Sequence, residues 1–244
     1  MATWIAHLRL AEELLKHIPN LDKAQFAIGN IAPDSGIPDE KWEKFNPPPA
    51  VTHFQNPANA QRDNLDLDFY RGYLAKADPG DTGRFSFRLG YFFHLVTDNL
   101  WSRLVGRPTK ERYPEQFATD PNFIWTVKED WYGQDFIYLR DHPASLFWQV
   151  FLDAQPEGFD LDFIPREAIE QQLRYIKTFY QQVDDEAQAR YTRPYLYFSQ
   201  ADMDGFITQA SGDLLRIYRL LWPSAPDVTG KFSALELLQS FPEL

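Results

Sequence analysis

"RFSFRLGYFFHLVTDNLWSRLV", residues 84–105, is apolar on nearly every face of a helix, which is typical of an element buried at the centre of a domain. Apolar residues also recur at three- and four-residue intervals in most other segments, beginning with the stretch from Trp4 to Ile18, which Thr3 can cap. Period-two strand patterns are scarce. The sequence therefore predicts an all-α fold in which residues 1–244 form a single multi-helix domain.

Prolines, glycines and capping residues set the expected limits of the other helices. Asn20 is a candidate cap for a short helix that has Gly29 as its C′ residue. Asn56 followed by Pro57 begins another helix, which runs to about Ala77. Further helices are predicted near residues 109–118, 121–140, 144–154, 165–188 and 199–222.

The composition excludes several classes of site. The 244 residues include 44% hydrophobic and 16% aromatic side chains, which supports a folded core. The formal net charge of −11 disfavours unassisted binding to nucleic acid, because the average surface repels a polyanion. With no cysteine and five histidines, any transition metal depends on imidazole and carboxylate ligands. Neither a signal-peptide pattern nor a run of about 18 apolar residues occurs, so we expect a cytoplasmic protein without a transmembrane segment.

The central helix carries a histidine and a carboxylate on one face. His94 and Asp98 are four residues apart, so their side chains are neighbours. Leaving Asp98 charged and unpaired in so apolar a helix would cost several kcal/mol, which calls for a cation, a strong hydrogen-bond donor or a raised pKa. A structural His–Asp hydrogen bond and a pair of metal ligands both satisfy this requirement.

A long segment, residues 30–57, is rich in proline, glycine and asparagine and is predicted to be an ordered loop without helix. It contains Asp34 near its start and His53 near its end, which taken separately are a turn carboxylate and an exposed loop histidine. His7 lies on the apolar stripe of the first helix, where a histidine can simply be hydrogen-bonded in the core. Together, these residues supply more ligands than a four-coordinate zinc site needs. They are His7, Asp34, His53, His94 and Asp98.

The remaining candidates have weaker arguments. Asp130 and Asp135 flank an aromatic pair in "KEDWYGQDF" and are candidate carboxylates for a second ion, or part of a solvated run of charge. His17 falls off the apolar stripe near a helix end, and His142 precedes a proline. Both histidines are predicted to be structural or surface residues.

Four motifs in order resemble a known family. "GNIAPD", "VTHF" and "GYFFHLVTDNLW", preceded by Trp4 and His7, are similar to motifs of the bacterial zinc-dependent phospholipase C family and, more distantly, of the single-strand-specific zinc nucleases. The resemblance covers roughly residues 4–101. "FNPPPAVTHF" and "VKEDWYGQDFIYL" further resemble shorter intracellular phospholipase C-like members.

The resemblance implies an all-helical fold with zinc in a cleft and a metal-activated water that attacks a phosphodiester. By motif position it implies that His53, His94, Asp98 and Asp34 hold one zinc ion, with Asp34 also orienting or deprotonating the water. It implies that His7 and Asp98 contribute to another ion, with Asp98 bridging.

The chain also departs from the family. The secreted enzymes begin at the tryptophan and use its free amino group as a ligand, whereas three residues precede Trp4 here. They carry a later H-x-x-x-E pair, but Leu146 follows His142 by four residues. A full trinuclear centre is therefore not expected, and one or two ions of zinc or another divalent metal are.

The leading hypothesis is thus a metal-dependent phosphoric-ester hydrolase acting on a phospholipid or a small phosphodiester. A metal-stabilised helical module without catalysis, acting in binding or regulation, is the alternative from another class. A metal-free helical protein whose histidines merely pack is the third. The two metal hypotheses predict that a chelator destabilises the protein, and the third predicts no effect.

Overall fold

The computed structural model describes residues 1–41, 43–55, 63–157, 161–183, 185–222 and 227–240. Within these ranges the protein is all-α, with twelve α-helices and a single two-stranded sheet. The α-helices are α1 (Trp4–Leu15), α2 (Lys23–Gly29), α3 (Pro49–Thr52), α4 (Asp66–Phe69), α5 (Thr82–Trp101), α6 (Arg107–Arg112), α7 (Pro114–Thr119), α8 (Phe123–Asp141), α9 (Arg166–Tyr180), α10 (Asp185–Arg190), α11 (Gln200–Leu221) and α12 (Leu235–Ser240). The strands are β1 (Ile37–Pro38) and β2 (Phe45–Asn46), which pair antiparallel.

Helix α5 is the centre of the core, as its apolar sequence predicts. Sixteen of its 20 residues are buried, and α1, α2, α4, α11 and α12 pack around it. It continues into a π-helical turn, Ser102–Gly106, and α4 continues into another, Tyr70–Leu74. None of the helices in the described ranges combines the length and the apolar character that crossing a membrane requires.

Helices α2 and α5 meet at two glycines. A Cβ atom on Gly29 would overlap the carbonyl oxygen of Phe87, and one on Gly90 would overlap the carbonyl oxygen of Phe26. The absence of side chains at both positions therefore lets the two backbones touch. This close approach places the residue after α2, Asn30, beside the middle of α5.

Two caps differ from the prediction. Asp22, not Asn20, caps α2, since its side chain accepts a hydrogen bond from the backbone N–H of Gln25. Asn20 instead has a left-handed backbone with φ of 61°. Gly29 is the last residue of α2 and not its C′ residue, and its role is the contact with α5. Thr3 caps α1 as predicted, accepting from Ala6 N–H.

Several helix limits also differ. The segment predicted near 109–118 is two helices, because Pro114 excludes helical backbone at Tyr113. The one predicted over 165–188 ends at Tyr180, and only the π-helical turn Phe147–Phe151 forms within 144–154. The start predicted at residues 56–57 lies outside the described residues.

The long loop contains more regular structure than predicted. A 3₁₀ turn, Ala32–Asp34, and α3 both form in it, with Pro33 and Pro49 in first turns, where a missing N–H costs nothing. The antiparallel pair of β1 and β2 lies between the 3₁₀ turn and α3 in the chain, with Ile37 opposite Asn46. The loop thereby returns α3 to the neighbourhood of Asp34.

Candidate metal centre

The side chains of all five predicted ligands converge in one buried cluster. It contains two overlapping groups, each with ligand atoms within 4.8 Å of one another, and His94 belongs to both. Helix α1 supplies one member, the 3₁₀ turn one, the end of α3 one and α5 two. The members are His7, Asp34, His53, His94 and Asp98.

His94 is oriented by the backbone of the neighbouring helix. Its Nδ1 lies 2.7 Å from the carbonyl oxygen of Asn30, and because a carbonyl only accepts, the ring proton is on Nδ1. The lone pair of Nε2 therefore points into the cluster, the usual arrangement of a metal-binding imidazole. Burial and the neighbouring His7 lower the pKa of His94 to about 3, so the ring is neutral at physiological pH.

His53 is oriented in the same way. Its Nδ1 lies 3.0 Å from the hydroxyl oxygen of Thr52 and 3.2 Å from the carbonyl oxygen of Pro49, in the first turn of α3, which leaves Nε2 directed inward. The Nε2 atoms of His53 and His94 are 3.3 Å apart. Two lone pairs that face each other at this distance repel, so a proton or a metal ion between them is required.

The two carboxylates surround that point. Asp34 Oδ1 is 3.2 Å from Nε2 of His53 and 3.8 Å from Nε2 of His94. Asp98 Oδ2 is 3.5 Å and 3.7 Å from the same two atoms. Both carboxylates are therefore positioned to share a cation with both imidazoles.

The charges of these groups are coupled. Burial by itself would raise the pKa of both carboxyls, but His94 and His53 lower the pKa of Asp34. The amino terminus and His7 likewise lower the pKa of Asp98 well below its usual value. Burial would lower the pKa of His53, but hydrogen bonding to Asp34 and its charge raise it. Both carboxylates are thus ionised at neutral pH, and the charge of Asp34 favours a proton on His53.

His7 completes the cluster from α1. Its ring stacks on that of His94 with a centroid separation of 3.9 Å and an interplanar angle of 5°. Its Nε2 lies 3.5 Å from Asp98 Oδ1, but neither of its ring nitrogens makes a hydrogen bond within the described ranges. Asp98 Oδ2 is also buried without a hydrogen-bond partner there. Unpartnered buried polar atoms are rare in folded proteins, and three in one cluster are available to bind a ligand.

The donor set suits a divalent transition metal. Three imidazoles and two carboxylates match the nitrogen and oxygen ligands that zinc and its first-row neighbours prefer. The hydrogen bonds from Nδ1 of His94 and His53 to backbone carbonyls are the outer contacts that such ligands usually make. The residues present therefore fit a metal ion.

A cleft of about 250 Å³ leads to the cluster. Asp34 and His53 contribute to its wall, whereas the side chains of His7 and His94 are fully buried behind them. The other walls come from the N-terminal residues, β2, α8 and α9, and they include the aromatic rings of Trp4, Tyr132 and Tyr175. One side of the cluster is thus accessible to a small molecule.

The structure does not bring Asp130 or Asp135 to the cluster. Asp130 accepts hydrogen bonds from Arg193 and from the backbone N–H groups of Tyr197 and Phe198, which fixes the segment before α11. Asp135 accepts from the hydroxyl groups of Thr3 and Tyr180, which fixes the start of α1. These partners account for both carboxylates, and neither belongs to a group of three ligands in the described ranges.

The two histidines predicted to be structural lie apart from the cluster. His17 is exposed just beyond the end of α1. His142 is exposed at the end of α8, where its ring stacks on Tyr138 and its Nδ1 lies 2.9 Å from the carbonyl oxygen of the same residue.

Sequence reasoning missed the residues that support the ligands. Asn30 and Pro49 act through backbone carbonyls, which no side-chain pattern reveals. Lys128 lies in the wall of the cleft, in the segment that also contains Asp130 and Asp135. Its helical spacing from Tyr132, which also lines the cleft, is the signal that identifies this face of α8.

No protein-family model, curated protein or solved structure matches the chain. The similarity to zinc-dependent phospholipases C therefore depends on the motifs alone, and the site has to be interpreted from its own geometry.

Proposed function

We propose that the chain is a metal-dependent phosphoric-ester hydrolase, similar to phospholipase C, that acts on a phosphodiester. One observation carries the proposal: five buried ligands from four separate elements converge, with unpartnered lone pairs, at the end of an open cleft. A metal that only stabilises a fold needs no such access, because structural sites are closed by their ligands. A bound divalent ion supplies Lewis acidity, which polarises a phosphoryl oxygen and lowers the pKa of a coordinated water from about 15.7 towards 7.

Asp34 is the residue best placed to handle a proton. It is the carboxylate that both faces the cluster and lines the cleft, and its lowered pKa keeps it ionised at neutral pH. Its Oδ atoms can therefore accept a proton from a water that attacks from the cleft. His53 beside it fixes the orientation of the carboxylate through the contact of 3.2 Å.

The other ligands position these two residues. Nδ1 of His94 is tied to α2, and the stacking of His7 on His94 holds the rings of α1 and α5 parallel. Ala2 N–H donates to Asp98 Oδ1 at 2.9 Å, which restrains the N-terminal segment at the mouth of the cleft. These contacts limit the movement of the ligands, as reaction at a fixed centre requires.

A metal-stabilised module without catalysis is the second candidate. It is favoured by the placement of Asp130 and Asp135, because neither is available as a ligand for a second ion. Two-ion sites stabilise both the attacking and the leaving oxygen, so a single ion stabilises a poor leaving group less.

Metal analysis combined with hydrolysis of bis(p-nitrophenyl) phosphate tests the proposal. We expect the metal-loaded protein to hydrolyse the diester, and Asp34→Asn to lose most of that activity while retaining the fold. The matched control is Glu40→Gln, an exposed carboxylate of the same loop, which should behave like the wild type. Bound metal without turnover of this diester or of phospholipid would support the module instead. A protein that binds no added metal would contradict both candidates.

A further inference from the structure

The wall of the cleft carries one lysine and no arginine among its described residues. Lys128 projects from α8, and the ionisable side chains that share the wall with it are Asp34, His53, Tyr132 and Tyr175. Asp34, His53 and Lys128 all contribute to the wall of the same cleft of about 250 Å³.

The ammonium group is held in a defined place. Lys128 is half-buried, and its Nζ lies 4.6 Å from the ring centroid of Trp125, a cation–π contact. It forms no ion pair in the described part of the chain. Burial lowers the pKa of Lys128, while the charges of Asp34 and Asp98 raise it, so the lysine lies within electrostatic range of the cluster.

The charge balance of the site gives this lysine a function. The two carboxylates of the cluster cancel one divalent ion, so a loaded centre with neutral imidazoles carries no net charge. The protein as a whole carries a net charge of −11, which repels an anion. Two positive groups then line the cleft, the ammonium of Lys128 and the amino terminus of Met1, and the amino terminus already lies 4.0 Å from Asp98 Oδ1.

We propose that Lys128 binds the phosphoryl oxygens of the substrate and selects anionic esters for the cleft. This inference rests on the proposed hydrolase function and adds a substrate-binding residue to it. The ammonium donates up to three hydrogen bonds and acts as a point charge towards an anion. Tyr132, one helical turn further along α8, lines the same wall beside it.

Binding of inorganic phosphate to the zinc-loaded protein, freed of excess zinc, provides a measurement that does not depend on turnover. Isothermal titration calorimetry of Lys128→Gln should give about ten- to one-hundred-fold weaker phosphate binding than the wild type, because a charge-assisted hydrogen bond is lost. Lys128→Arg should keep most of the affinity. Lys110→Gln removes the same charge from an exposed position on α6 and should leave the affinity unchanged. Zinc content should be equal in all four proteins.

The outcomes separate this inference from the proposed function. Equal phosphate affinity in the wild type and Lys128→Gln overturns the inference. Diester turnover by the wild type then decides the hydrolase proposal separately. Phosphate binding that depends on Lys128 in a protein without turnover overturns the hydrolase and retains the anion site. Weaker phosphate binding in both Lys128→Gln and Lys110→Gln also overturns the inference about Lys128, because the net charge of the protein and not the position of the lysine then decides the affinity.

Discussion

Replacing Gly90 by alanine tests whether the contact between α2 and α5 positions the metal ligands. Gly90 lies one helical turn before His94, and Asn30, which follows Gly29, accepts the hydrogen bond from the Nδ1 of that histidine. An added Cβ would overlap the carbonyl oxygen of Phe26 and would lie 3.0 Å from the backbone nitrogen of Asn30. Both neighbours are backbone atoms, so no side-chain rotation relieves the overlap.

The geometry gives the size of the effect. The added Cβ would lie 2.4 Å from the carbonyl oxygen of Phe26, and non-bonded contacts of carbon are most favourable at about 3.5–4.0 Å, so α2 has to retreat by roughly 1–1.5 Å. That displacement stretches the 2.7 Å bond between Asn30 O and His94 Nδ1 beyond the normal range. Overpacking costs about 1–3 kcal/mol and the better helix propensity of alanine offsets about 1 kcal/mol of it. At the upper end the net loss is about 2 kcal/mol, or roughly 4–8 °C in the unfolding midpoint of a domain this size.

Two measurements on Gly90→Ala then have different expected outcomes. Calorimetry with chelator reports the packing loss, and competition with a coloured zinc chelator reports the affinity, which should fall about ten- to one-hundred-fold because His94 loses its outer contact. Gly205→Ala is the matched control, since Gly205 lies at an exposed position of α11 and a Cβ there meets no atom within 4 Å. The free energy of unfolding of that control should rise by about 0.5–1 kcal/mol, and its zinc affinity should be unchanged. Undiminished zinc affinity in a destabilised Gly90→Ala would refute the coupling, and undiminished stability would refute the close contact.

Three further predictions concern stability. Removing zinc from a solution that holds it at 100 times its Kd should lower the free energy of unfolding by about 2.7 kcal/mol. A thermal unfolding midpoint that is insensitive to chelator would exclude a metal site. His7→Leu should gain less stability from zinc than the wild type, because it removes one imidazole of the cluster; calorimetry in chelator and in zinc measures the difference, and an equal gain would show that His7 is not a ligand. Burial raises the pKa of Asp135 from 3.8 to about 7, although hydrogen bonds from Thr3 and Tyr180 oppose this. Because the folded chain holds that proton more tightly, the free energy of unfolding should fall as pH rises from about 4 to 7, and Asp135→Asn should flatten this slope in urea titrations; an unchanged slope would show that Asp135 does not cause it.

The elements that local pattern determines were predictable. Helix α5 is buried on so many sides that its sequence indicates the centre of the core, and the four-residue spacing of His94 and Asp98 follows from the helix itself. His7 lies on the apolar stripe of α1 for the same reason. The all-α prediction is confirmed because it depends on periodicity within each segment.

The choices that depend on tertiary contacts were not predictable. Asn20 and Asp22 are both good caps, and Ser86 of α5 favours the second by accepting a hydrogen bond from Asp22 N–H at 2.8 Å. Asp130 and Asp135 resemble a ligand pair in sequence, but their partners come from residues more than forty positions away. A carboxylate reveals its role only once its donors are known.

A contribution to the stability of the fold does not by itself explain the polar residues of the cluster. Two ring nitrogens of His7 and one oxygen of Asp98 are buried without a hydrogen bond within the described ranges, and each such atom costs about 1–3 kcal/mol. Apolar side chains of similar size would remove this cost, which is an argument for the proposed metal site. A cation that satisfies these atoms also cancels the charges of Asp34 and Asp98, and the open cleft beside it explains why the ligands were not simply replaced.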